Sequence, residues 1–259
     1  MAKDSFSEKV CVVTGAASGI GRELTLQLAR AGARVFAADL NEAALSGLEE
    51  AGVETLPVDV RDAEAVGALV AEAVERGGRL DYLFNNAGVA GLGEVKDLPL
   101  AEWRRVLDVN LFGVINGVHA AYPVMIRQGG GHIVNMASLS GLFPTPSFIP
   151  YSTSKFAVVG LSRALAIEAA RYGVRVTAVC PSFIDTAMVR QFEAGPVLGL
   201  VPVERAARLI LEGVARRRAL VIFPRSARVL LFLDRIAPVG RWIGAGLLAR
   251  YRAEQSRIG

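Results

Sequence analysis

The chain is short of the residues that build metal centres, disulfide frameworks and nucleic-acid surfaces. Among 259 residues there are two cysteines, two histidines and 7% aromatics. Cys11 and Cys180 lie in separate apolar runs far apart in sequence, so they read as small buried apolar residues and suit a reducing cytosol. His119 falls in a helical pattern and His132 opens an apolar run; neither has a second ligand at metal spacing, so no metal is expected. Residues 1–9 carry no apolar signal region, and no uninterrupted apolar run is long enough to span a bilayer. A cytoplasmic protein is the expectation. The net charge of +4 and the pI of about 9.3 come from scattered basic residues, and with so few aromatics they predict no nucleic-acid surface. Arg216–Arg218 reads as a solvated helix end, where cations complement the dipole. Repeats and low-complexity linkers are absent, and Gly129–Gly131 reads as a turn between a helix and a strand.

What the chain has in quantity is apolar surface to bury: 52% hydrophobic residues and a mean hydropathy of +0.38. That content, at this length, suits one large core. Strands are predicted near 9–14, 34–38, 54–58, 80–84, 131–137, 174–180 and 219–223, and helices near 19–31, 41–50, 62–76, 101–127, 151–171 and 203–217. Such alternation predicts an α/β fold: a Rossmann-like, doubly wound, seven-stranded parallel sheet in three α/β/α layers, as one domain over 1–259.

Two motifs carry chemistry. Tyr151-Ser-Thr-Ser-Lys155 places a phenol and an ammonium one helical turn apart, on one face. A fixed cation favours the tyrosinate, so the pair suits proton exchange near neutral pH. Thr14-Gly-Ala-Ala-Ser-Gly-Ile-Gly21 sits between an apolar strand and a helix. Gly15 and Gly19 let the main chain approach a ligand, Gly21 lets helix and strand pack closely, and the helix N-terminus offers free N–H groups to a pyrophosphate. The next strand ends in Asp39, about 20 residues further on, where a carboxylate accepts hydrogen bonds from an adenosine ribose 2′-hydroxyl and repels a 2′-phosphate. NAD is therefore expected, and NADP is disfavoured.

With these motifs, Asp59-Val60, Asn85-Asn-Ala-Gly88, Asn110, Ser138 and Pro181–Thr186 complete a pattern over roughly residues 8–190 that resembles the short-chain dehydrogenases/reductases. The resemblance implies a cofactor site made of Gly15, Ser18, Gly19, Ile20, Gly21, Asp39, Leu40, Asp59, Val60, Asn86, Ala87, Gly88, Tyr151, Lys155, Pro181, Ile184 and Thr186. Asp59 and Val60 would hold the adenine, although Asp59 also reads as a cap for the helix at 62–76. Ile184 and Thr186 would bind the nicotinamide carboxamide. The implied catalytic set is Asn110, Ser138, Tyr151 and Lys155: Tyr151 as acid/base, Lys155 lowering its pKa and binding ribose, Ser138 orienting the carbonyl ahead of its rival Ser140, and Asn110 in a water relay to the lysine. Ser182 stands where many relatives have glycine.

The remaining expectations concern the substrate. Leu139, Leu142, Phe143, Pro144, Phe148, Met188, Phe192 and Leu198 offer an apolar pocket bounded by a lid region at 187–202, which predicts a hydrophobic secondary alcohol or ketone: steroid-like, retinoid-like, terpenoid or long-chain. The segment 225–259 extends past the last strand as two apolar helices broken by Pro238 and edged with arginines. It reads as domain or subunit packing, as a roof over the pocket, or as a peripheral membrane contact. A homodimer or homotetramer is implied by the resemblance. Two rival functions differ in what they leave unexplained: a non-catalytic NAD-binding scaffold or sensor would not require Ser138, Tyr151 and Lys155 together, and a membrane lipid carrier would account for the apolar tail but not for the glycine turn or Asp39.

Overall fold

The computed structural model describes residues 5–190, 199–236, 242–246 and 248–249, and structural statements here concern those residues. Seven parallel strands, β1 (Val10–Thr14), β2 (Arg34–Asp39), β3 (Glu54–Pro57), β4 (Tyr82–Asn85), β5 (Gly131–Met136), β6 (Val174–Pro181) and β7 (Leu220–Phe223), form one sheet in the order β3-β2-β1-β4-β5-β6-β7. The helices are α1 (Gly19–Arg30), α2 (Glu42–Glu49), α3 (Ala63–Gly77), α4 (Leu100–Leu107), α5 (Gly113–Arg127), α6 (Ile149–Ala169), α7 (Val203–Ala215) and α8 (Arg225–Ile236).

β1 is apolar along its length because helices cover both faces of the sheet. Cys11 and Val13 pack with Leu24 and Leu28 of α1, Leu45 and Leu48 of α2, and Ile210 of α7. Val10 and Val12 point the other way, toward Leu69 of α3 and Met125 of α5. The predicted three-layer sandwich is thus the observed one. Caps set the helix starts: Asp62 accepts from the N–H groups of Glu64 and Ala65 and begins α3. The cap expected of Asp59 therefore belongs to Asp62, because an N-cap must lie within three residues of the N–H it accepts from.

The helix predicted over 101–127 is continuous but not uniform. Between α4 and α5, residues Asp108–Phe112 form a π turn, with the Gly113 N–H bonded to the Asp108 carbonyl. By length and composition alone the run Leu100–Arg127 could cross a membrane, although polar residues interrupt its apolar stretches. Here it is a wall of the core, with Val106, Val114, Ala121 and Met125 buried.

The strand order reverses between β1 and β4, so their following loops diverge and open a crevice at the carboxyl edge of the sheet. The glycine turn, Asp39, Asp59, Asn86–Gly88, Ser138, Pro181–Thr186 and the start of α6 with Tyr151 all lie at that edge.

Candidate active site

The glycine turn is built for close approach. Gly15 has φ +66°, and a Cβ there would stand 2.7 Å from Ala87 Cα; one on Gly21 would stand 2.0 Å from the Gly15 carbonyl oxygen. Gly21 thus lets the helix start fold back on its own turn, a tighter need than helix–strand packing. Thr14 ties the turn to the loop after β4: its hydroxyl oxygen accepts from the N–H groups of Asn86 and Ala87, at 3.1 and 3.2 Å. Asn86 Nδ2 in turn donates to the carbonyls of Thr14 and Gly15. Ser18 begins α1 without any side-chain cap bond, which leaves the first N–H groups facing the crevice for an anion.

Asp39 closes the adenosine end. One carboxylate oxygen accepts from the Ala17 N–H and the other from the Asn41 N–H, each at 3.0 Å. Each oxygen retains a lone pair for a further donor. Asp59 instead forms a fork with Arg61, and this guanidinium holds its carboxyl below the usual range. The resulting cleft, of about 870 Å³, is lined by every expected cofactor residue except Gly21, which lies beneath the turn. It is also lined by Asn41, Val89, Arg105 of α4 and Met136 of β5, which no motif of the sequence marks.

Tyr151, Lys155 and Ser138 meet at the far end of the cleft. They come together because α6 starts just after the loop that follows β5. Lys155 is 3% exposed; its ammonium donates to the Met136 carbonyl at 2.7 Å and lies 5.5 Å from the centre of the Tyr151 ring. Burial pulls its pKa down to about 8. Burial pushes the Tyr151 phenol up, opposed by a hydrogen bond with Ser138. The depression expected from Lys155 is absent in the free protein, where desolvation of the phenolate prevails and the hydrogen bond with Ser138 is what opposes it. The Ser138 hydroxyl also accepts from the Ser140 N–H at 3.2 Å, so Ser140 supports it. Cys180, buried alongside, is pushed up to about 12 by burial and is an uncharged filler.

Asn110 does not line the cleft. Fully buried in the π turn, it accepts from the Val89 N–H at 2.7 Å and donates to the Val89 carbonyl at 2.9 Å and the Ser154 hydroxyl at 3.3 Å. Its side chain clamps the loop after Gly88, where a Cβ would meet both Asn110 Oδ1 (3.2 Å) and Lys155 Nζ (3.6 Å). His132 is also buried, bonded to the Thr177 hydroxyl, and burial lowers its pKa to about 4; neither histidine reaches the site. Among the described residues no group of three His, Cys, Asp or Glu side chains could hold a metal.

The family profile described as short chain dehydrogenase matches residues 9–196. This chain belongs to the short-chain dehydrogenase/reductase family. It is similar to cyclohexanol dehydrogenase of Acinetobacter sp. strain SE19, with 36% identity over 209 residues, covering 78% of this chain and 83% of that protein. It is also similar to the 3-oxoacyl-[acyl-carrier-protein] reductase of Thermotoga maritima, 38% identical over 189 residues, covering 71% and 77%. Among solved structures, a short-chain dehydrogenase/reductase from Burkholderia phymatum in complex with NAD superposes with a TM-score of 0.79 at 33% identity, covering 89% of this chain and 93% of that one. Levodione reductase gives 0.79 at 30%, covering 85% and 98%. The protein is thus an oxidoreductase with a Rossmann-like fold.

Beside the cleft, this short-chain dehydrogenase/reductase has a smaller pocket of about 140 Å³. Leu139, Phe143, Pro144, Phe148 and Met188 line it as expected, whereas Leu142 turns away to pack with Val158 and Cys180. Phe192 and Leu198 lie outside the described residues. Ala227, Leu230 and Leu231 of α8, with Ile243, complete the wall, so the extension roofs the pocket. Ser182 borders both spaces, and its hydroxyl is buried without a partner.

Proposed function

We propose that this protein interconverts a lipophilic secondary alcohol and its ketone, with NAD(H) as the hydride carrier. The observation that carries the reading is the position of Ser138 and Tyr151: both line the polar cleft and the apolar pocket, at the junction where the two spaces meet. The cleft fits a dinucleotide because its glycine turn leaves no room for side chains and its helix N–H groups are uncapped. Gly15, Ser18, Gly19 and Ile20 would cradle the pyrophosphate, Asp39 and Leu40 the adenosine ribose, Asp59 and Val60 the adenine, and Asn86–Gly88, Pro181, Ile184 and Thr186 the nicotinamide half. Two further features favour NAD over NADP. Asp39 is acidic, and the two arginines of the cleft, Arg61 and Arg105, are already paired with Asp59 and Glu102. The bound nicotinamide supplies a hydride acceptor or donor.

The side chains supply the rest. Ser138 donates a hydrogen bond to the substrate oxygen and fixes it within reach of the Tyr151 phenol. Tyr151 takes the hydroxyl proton in oxidation and returns it in reduction. Lys155, buried beside the ring, offsets the charge of the tyrosinate and reaches the nicotinamide ribose, while Asn110 holds the loop that borders it. Phe143, Phe148, Leu230 and Leu231 exclude water and give an apolar body its place. The protein is read as a cytoplasmic homo-oligomer.

Tyr151→Phe tests the mechanism: NADH binding, followed by fluorescence, is expected to persist while turnover falls by about 10² or more. Undiminished turnover would reject the assignment, and absent NADH binding in the parent would reopen the lipid-carrier reading. A panel of lipophilic and small polar alcohols tests the substrate class, with preference for the polar set counting against it.

A further inference from the structure

α8 is apolar on two opposite sides. Ala227, Leu230 and Leu231 face the pocket. Val229, Phe232 and Leu233, spaced at three and four residues, are 58, 62 and 43% exposed. Trp242 is 79% exposed, although its neighbour Ile243 lines the pocket. This second helical segment is seated against the pocket loop, since a Cβ on Gly244 would come within 3.2 Å of the Pro146 ring. A helix that only walls a pocket needs one apolar stripe. The second stripe is unexplained by the proposed reaction.

The charge around it is equally uneven. Between residues 225 and 252 the sequence places Arg225, Arg228, Arg235, Arg241, Arg250 and Arg252 against the single acid Asp234. The whole chain has 29 basic and 25 acidic residues, so the remainder holds 23 against 24 and is close to neutral. All of the net positive charge therefore belongs to the segment that also carries the exposed Phe232 and Trp242. Aromatic and aliphatic side chains flanked by arginines are what an interfacial helix presents to lipid headgroups. A second copy of the same segment would bring like charges together.

We infer that α8, with Trp242 beyond it, rests this oxidoreductase on an anionic phospholipid surface, the outer stripe of the helix lying in the headgroup boundary. The same helix walls the pocket from its inner side, so a lipophilic substrate dissolved in the bilayer has only the thickness of α8 to pass. The inference rests on the proposed reading of the pocket as a site for lipophilic alcohols or ketones.

Vesicle flotation of the full-length protein tests it without turnover, so the two readings fail separately. Co-flotation is expected with phosphatidylcholine vesicles containing phosphatidylglycerol at low salt, and about tenfold less with phosphatidylcholine alone or at high salt. The Phe232→Ser/Trp242→Ser protein should lose this binding while keeping NADH binding, which reports an intact fold. In a Trp103→Phe background, emission from Trp242 should shift to the blue on adding the anionic vesicles. No co-flotation under either salt condition would overturn the inference. So would a concentration-dependent dimer in sedimentation velocity that the double substitution dissolves without any vesicle binding, because that result assigns the stripe to a second copy.

Discussion

Burying Lys155 costs the fold stability that its position near the cofactor cleft explains. With its pKa lowered to about 8 by burial, against about 10.4 in an unfolded chain, the folded state disfavours the charged form. Below pH 8 both states are protonated and the folded state bears the full cost. Between about pH 8 and 10.4 the folded state releases its proton first, so stability rises with pH; above that range the cost has gone. Lys155→Met removes the cation but leaves the Met136 carbonyl without its donor, which returns ~1 kcal/mol of the gain. The variant is expected to be inactive and more stable than the parent by roughly 1–2 kcal/mol at pH 7, with the difference closing by pH 10. Urea unfolding of the cofactor-free proteins across this range checks it, and a difference independent of pH would contradict it. The position of this pair was legible in the sequence because phenol and ammonium four residues apart on a helix must share a face. The direction of the tyrosine shift was not, because desolvation depends on what covers the ring. Val89 and Met136 were illegible for another reason: they serve the cleft through backbone and apolar surface, which leave no residue-type signature.

At the scale of elements, two helical glycines separate packing from propensity. Alanine is favoured over glycine in a helix interior by about 0.5–1 kcal/mol. Gly67 of α3 has nothing within 4 Å of the position a Cβ would take, so Gly67→Ala should stabilise by roughly that amount. Gly117 of α5 lies against β4, where a Cβ would stand 2.0 Å from Asn85 Oδ1. Overpacking there costs typically 1–3 kcal/mol, so Gly117→Ala should destabilise by roughly 1–2 kcal/mol net. Thermal unfolding of the two variants checks both signs, and an equal shift in both would refute the close contact. Asn85 is held in that contact by Asn135, itself bonded to Ser162, a buried polar chain joining β4, β5 and α6. The sequence showed strands and helices clearly, since continuous apolar runs and three-to-four spacing each have one reading here. It did not show the π turn inside 101–127. An extra residue in one turn leaves the apolar pattern nearly unchanged, and the buried polar Asn110 was the only sign of it. The double role of α8 was likewise hidden, because an apolar helix beyond the last strand reads equally well as packing, roof or surface contact until its neighbours are known.

For the whole molecule, α6 is the element through which the proposed assembly would touch the site. Its inner side carries Lys155, Val158, Val159 and Ser162, all buried, while Phe156 is 47% and Ile167 83% exposed on the outer side. These two are eleven residues apart, three helical turns, and so share a stripe. Gly160 lies between them with open space around it, which leaves room for a neighbouring helix to approach. Arg163 stands between them on the same face, and burying the two apolar side chains would contribute about 1.5–3 kcal/mol each, so a second subunit is the proposed cover. If the proposed homo-oligomer forms there, Ile167→Glu is expected to place a carboxylate in the contact and yield a monomer, read by sedimentation velocity. Because the same helix fixes Tyr151 and Lys155 on its inner side, the monomer should also show weaker activity while NADH binding declines less. A parent protein that sediments as a monomer, or a variant whose assembly is unchanged, would remove α6 from the interface. It would also decouple assembly from the proton-transfer site, leaving the core beneath α6, Ser138 and the Phe148 ring to hold Tyr151.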